Sequence, residues 1–123
     1  MYELTIETTF ASAHQLRGYG GKCENLHGHN WKVQIHVMAE SLNDIDIAID
    51  FHDLKRMADE VVGPLDHSFL NDKFPFTEKN PSSENIARYI YDGMKKKVND
   101  EYVRLTAVTV WESETASATY YED

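Results

Sequence analysis

Trp31-Lys32-Val33-Gln34-Ile35-His36-Val37-Met38 alternates apolar and polar residues without a break, the period of a strand with one face buried. A second such stretch lies upstream, where Tyr2, Leu4, Ile6, Thr8 and Phe10 alternate with Glu3, Thr5, Glu7 and Thr9. Between them Arg17–Lys22 contains Gly18, Gly20 and Gly21, a turn-rich connection. The extended segments Tyr2–Ala13 and Asn30–Met38 are therefore expected to pair as an antiparallel hairpin.

The loop end of that hairpin carries the chemistry. Cys23-Glu24-Asn25-Leu26-His27-Gly28-His29 holds the only cysteine of the chain and two histidines two residues apart. On a strand, His27 and His29 project from the same face, and Gly28 leaves room for close backbone approach. His14 closes the first strand, so pairing gathers His14, His27 and His29. Three neutral imidazoles are a ligand set for a zinc ion that keeps its fourth position open to water or substrate. Cys23 leaves a second arrangement possible, in which the thiolate closes a structural site of one cysteine and three histidines.

Bulk properties narrow the class. A chain of 123 residues is expected to be a single domain, 1–123, burying about two-thirds of its unfolded surface. No apolar run is long enough to span a bilayer, and Met1-Tyr2-Glu3-Leu4 lacks a basic region followed by an apolar stretch, so no secretory signal is expected. One cysteine makes no internal disulfide, which fits a reducing, cytoplasmic setting. The net charge of −9 argues against a nucleic-acid surface. An anionic ligand would need local cations, and Arg17 and Lys22 stand close to the histidines.

Further along, Ile45, Ile47 and Ile49 alternate with Asp46, Ala48 and Asp50 and read as a short strand or strand extension. Asp50 or Asp53 can cap a helix whose apolar positions are Leu54, Met57, Ala58, Val61 and Leu65, ended by Gly63-Pro64. Leu65–Phe76 reads as a loop containing Asp66-His67. Pro81-Ser82-Ser83-Glu84 opens a second helix, with Ile86, Tyr89, Ile90, Met94 and Val98 on its buried stripe and Lys95-Lys96-Lys97 as a solvated end. Val103–Trp111 and Ala116–Tyr121 are two more strands, joined by Glu112–Thr115. The order strand, strand, helix, helix, strand, strand predicts an α+β fold, an antiparallel sheet with two helices on one face. Such a sheet, with long outer strands and polar edges, is expected to self-associate.

Phe10-Ala11-Ser12-Ala13-His14-Gln15-Leu16, Cys23-x-x-x-His27-Gly28-His29, Asp50-Phe51-x-Asp53-Leu54-Lys55, Leu65-Asp66-His67-x-x-Leu70-Asn71, Pro81-Ser82-Ser83-Glu84-Asn85 and Glu112 follow one another at a distinctive spacing. Over nearly its whole length the chain resembles the 6-pyruvoyl-tetrahydropterin synthase superfamily, and within it the 6-carboxy-5,6,7,8-tetrahydropterin synthase branch of queuosine (7-deazaguanine) biosynthesis. The three residues between Cys23 and His27 match that branch, whereas the animal pyruvoyl enzymes insert two more.

The resemblance implies the tunnelling fold, ββααββ, as a homohexamer of two stacked trimers with active sites shared between subunits. It implies one zinc per subunit on His14, His27 and His29. Cys23 would be the general base, and Asp66 with His67 a proton-relay pair reaching in from a neighbour. Glu112 would anchor the pterin, and Ser82 and Ser83 would join the substrate-binding residues. The implied reaction converts 7,8-dihydroneopterin triphosphate to 6-carboxy-5,6,7,8-tetrahydropterin, with loss of acetaldehyde and triphosphate. Two readings compete: triphosphate elimination without carbon–carbon cleavage, as in the pyruvoyl enzymes, and a non-catalytic zinc-binding module.

Overall fold

The computed structural model describes residues 1–18 and 25–122. The chain runs β1 (Tyr2–His14), β2 (His27–Ala39), α1 (Phe51–Val62), β3 (Ser68–Phe69), α2 (Ser83–Val98), β4 (Val103–Ser113) and β5 (Ala116–Tyr120). Short 3-10 turns occupy Gly63–Leu65 and Leu70–Asp72. The five strands form one sheet in the order β3-β1-β2-β4-β5.

β1 and β2 form the expected antiparallel hairpin, with Phe10 opposite Trp31, Ser12 opposite His29 and His14 opposite His27. Burial holds this register. Ile6 and Phe10 of β1 and Trp31, Val33, Ile35 and Val37 of β2 all sit in the core. Each such side chain contributes about 1.5–3 kcal/mol when fully buried, and a one-residue slip would turn the stripe of a whole strand outward. Phe10 and Trp31 stack with ring centres 5.8 Å apart. The same alternation carries the three histidines onto the core-facing side at the end of the hairpin.

The helices cover that side. Asp50 caps α1, its carboxylate accepting the His52 N–H at 2.7 Å, and Leu54, Ala58, Val61 and Val62 enter the core. Ser82 caps α2, which buries Ile86, Ala87, Ile90, Tyr91, Met94 and Val98. α1 packs over β1, and α2 over β4 and β5. The helices meet at Gly93, where an added Cβ would come within 2.9 Å of Val61 Cγ1. Among the described residues, no helix is long and apolar enough to cross a membrane.

Several local expectations need correcting. Ile45–Ile49 is not a strand. The Asn43 side-chain oxygen accepts the N–H groups of Ile45 and Ile47, at 3.0 and 3.1 Å, and Asp46 takes a positive φ of 66°. The alternation there belongs to a turn, and Ile45 is exposed. The presumed loop Leu65–Phe76 contains β3, which pairs parallel to β1 at Ser12 and Ala13, so the sheet is not wholly antiparallel. Glu112 lies within β4 and not in the connection after it. Two of the three lysines ending α2 are paired rather than simply solvated: Lys95 with Glu122 at 3.1 Å and Lys97 with Glu60 at 2.6 Å.

Candidate metal centre

His14, His27 and His29 converge as the hairpin register requires. Their ring centres lie 4.4 to 5.1 Å apart. One ligand atom from each, together with a Glu112 carboxylate oxygen, lies within 4.8 Å of all the others. Trp31 forms the apolar wall, its ring meeting those of His14 and His29 nearly at right angles. Glu112 arrives because β4 pairs with β2 from Lys32 opposite Trp111, which brings the next residue alongside the cluster.

Hydrogen bonds fix the orientation of two rings. His14 Nδ1–H donates to the Pro81 carbonyl at 2.7 Å, and His27 Nδ1–H donates to the Asn25 carbonyl at 2.7 Å. A carbonyl only accepts, so the proton of each neutral ring sits on Nδ1 and Nε2 carries a lone pair. Yet His14 Nε2 and His27 Nε2 face each other at 2.8 Å. His29 Nε2 is buried without a hydrogen-bond partner among the described residues. It approaches Glu112 Oε1 to 3.0 Å, but not along a hydrogen-bonding direction.

Burial is the main reason that His14 and His29 titrate below the ordinary histidine range, outweighing the upward pull of the Pro81 carbonyl on His14 and of Glu112 on His29. Both are therefore neutral at neutral pH. Converging lone pairs, an orphaned buried nitrogen and one carboxylate make a donor set that fits a divalent cation.

The segment between the helices braces this centre. The Asn71 side chain exchanges two hydrogen bonds with the backbone of Gln15, at 2.7 and 2.9 Å. The Asn80 side chain does the same for Arg17, at 2.8 and 2.9 Å. Together they pin the chain as it leaves His14, and Pro81 then presents its carbonyl to the ring. Sequence reasoning assigned Asn71 and Asn80 no role. An amide that clamps a distant backbone has no local periodicity to announce it, although Asn71 closes the motif Leu65-Asp66-His67-x-x-Leu70-Asn71.

The other candidates divide. Ser83 Oγ donates to Glu112 Oε2 at 3.2 Å, which links the start of α2 to the centre. Ser82 Oγ instead accepts the Asn85 N–H as the helix cap, at 3.2 Å. Asp66 and His67 lie outside the imidazole cluster, beside β1. Asp66 Oδ1 accepts the Ala11 N–H at 2.8 Å, and the His67 N–H donates to the Ala11 carbonyl at 2.6 Å. Asp66 Oδ2 meets His67 Nδ1 at 2.9 Å, and the His67 side chain is 85% exposed. The backbone at His67 is left-handed, φ 52°. Arg17 is no free anion receptor, because its guanidinium donates to the Phe76 and Lys79 carbonyls. Cys23 and Lys22 lie outside the described residues.

The chain matches the family model described as 6-pyruvoyl tetrahydropterin synthase over residues 3–123. It is 30% identical over 144 residues to the 6-carboxy-5,6,7,8-tetrahydropterin synthase of Haemophilus influenzae, covering 99% of this chain and 100% of that one. The Synechocystis protein of the same name is 34% identical over 127 residues, covering 98% and 94%. The solved structure of Caenorhabditis elegans 6-pyruvoyl tetrahydropterin synthase superposes with a TM-score of 0.85 at 27% identity, covering 100% and 98%.

Proposed function

Since this chain belongs to the 6-pyruvoyl tetrahydropterin synthase family, we propose that it acts as a 6-carboxy-5,6,7,8-tetrahydropterin synthase. In this reading it is a carbon–carbon lyase of queuosine biosynthesis, taking 7,8-dihydroneopterin triphosphate to 6-carboxy-5,6,7,8-tetrahydropterin, acetaldehyde and triphosphate. The observation that carries it is the convergence of His14, His27 and His29 with their lone pairs on one point.

Zinc is the metal this donor set suits, one per subunit, with His14, His27 and His29 as ligands. Bound there, it supplies Lewis acidity that lowers the pKa of hydroxyl groups. The chain's own residues do the rest. Cys23 accepts and returns protons at the substrate side chain. A free thiol is only a few per cent thiolate at neutral pH, and neighbouring positive charge raises that fraction. Asp66 accepts from His67 Nδ1–H, which orients the ring and leaves Nε2 to exchange protons. The exposure of His67 and its separation from the imidazole cluster of its own chain support its service to a neighbouring subunit, within a homohexamer. Glu112 receives the pterin edge, where a ring N–H beside an amine matches one carboxylate. Ser83 holds Glu112 Oε2 for that task.

The test is incubation with 7,8-dihydroneopterin triphosphate, followed by product mass and an acetaldehyde assay. A 6-carboxy product with acetaldehyde supports the reading. A pyruvoyl product without acetaldehyde would place the chain with the eliminating enzymes, and no turnover at all would favour a non-catalytic metal module.

A further inference from the structure

Two buried side-chain atoms have no hydrogen-bond partner among the described residues, His29 Nε2 and Ser12 Oγ. Their residues stand directly opposite each other in the β1–β2 register, on one face, where cross-strand Cβ atoms are about 4.5–5.5 Å apart. The metal centre accounts for the nitrogen but not for the hydroxyl. Ser12 is only 7% exposed, and a buried hydroxyl without a partner is destabilising.

A complementary need exists across the strand. His14 and His27 each place Nδ1–H on a carbonyl, whereas His29 makes no such bond among the described residues. A His29 ring that binds metal through Nε2 carries its proton on Nδ1 and calls for an acceptor there. We propose that Ser12 is a positioning residue: in the metal-loaded protein its hydroxyl accepts the His29 Nδ1–H and sets that ring's tautomer and angle. Ser12 thereby does for His29 what the Pro81 and Asn25 carbonyls do for the other two rings. The inference rests on the reading of the three histidines as metal ligands.

Zinc affinity is measured by chelator competition for the wild type, Ser12→Ala and Ser12→Thr, alongside the melting temperature of each metal-free protein. Ser12→Ala should bind zinc about 10-fold or more weakly, the scale of losses from outer ligand contacts. Its metal-free melting temperature should stay level or rise, because an unpartnered hydroxyl has been removed. Ser12→Thr, which keeps the hydroxyl, should recover most of the affinity. In cobalt(II)-loaded protein, Ser12→Ala should lose the shifted, exchangeable N–H resonance of His29 and keep those of His14 and His27. Zinc affinity for Ser12→Ala within about twofold of wild type would overturn the proposal. A metal-free melting temperature that falls in step with affinity would do the same. A wild-type protein that binds no zinc would defeat the metal reading itself.

Discussion

His14 Nε2 and His27 Nε2 stand 2.8 Å apart while the Nδ1 atom of each ring is committed to a backbone carbonyl. Neither neutral ring can donate to the other, so the contact is unfavourable unless a cation or a shared proton lies between the nitrogens. Burial disfavours the proton at His14. A divalent cation at this point would relieve the contact, and the converging donor set is suited to hold one.

Purified protein should carry about one zinc per chain, and replacing His14, His27 or His29 with alanine should remove most of it. Elemental analysis measures this directly. Adding zinc to stripped protein should raise its melting temperature with zinc concentration, as ligand binding to the folded state requires. Full occupancy in a His27→Ala, His29→Ala double variant would contradict the ligand assignment.

Cys23→Ala should keep its zinc and lose turnover by roughly 10²-fold or more, the usual scale for an acid–base group. Loss of metal in proportion to activity would instead make Cys23 a fourth ligand. Cobalt substitution offers an independent check, since thiolate coordination produces a strong charge-transfer band.

Glu112 touches both the His29 imidazole and Ser83, so its two roles must be separated. Glu112→Gln should retain zinc, because three imidazoles remain, while pterin binding weakens far more than in Glu114→Gln. The amide offers one acceptor and an unwanted donor to a two-donor edge. Zinc content and pterin affinity, measured on the same samples, decide the point; loss of metal from Glu112→Gln would make the carboxylate a ligand.

The exposed His67 predicts complementation between subunits. Cys23→Ala and His67→Ala should each be inactive alone. After co-expression or mild denaturation and refolding, the mixture should recover part of the activity. With mixing confirmed by mass, activity no higher than in the separate variants would mean that both residues act within one chain.

Asp66 titrates below the ordinary aspartate value, chiefly because it accepts the Ala11 N–H and secondarily because of His67. A depressed carboxyl pKa contributes stability above the unfolded value, about 3.9, and that contribution fades as pH falls through the lower folded value. Asp66→Asn should therefore be less stable than wild type at pH 6, with the gap closing below about pH 4. Thermal melts across that range follow it; a constant gap would show that the charge plays no part.

Much of this protein was legible along the chain because its elements are periodic. Alternation in Tyr2–Phe10 and Trp31–Met38 reports a half-buried strand directly, and a two-residue spacing places His27 and His29 on one face whatever lies above them. Cap residues before Leu54 and Ile86 announce the helices in the same local way. Periodicity alone also misled, at Ile45, Ile47 and Ile49, where the Asn43 side chain captures the backbone in a turn. The two residues of β3 are too short to carry any pattern, and their pairing depends on β1 being present. Glu112 joined the histidines only because β4 docks beside β2 in one register, and Pro81 aimed His14 only because the segment after α1 folds back across the strand exit. Those contacts join residues far apart in the chain, where one-dimensional spacing holds no information about direction; packing of the core supplies it.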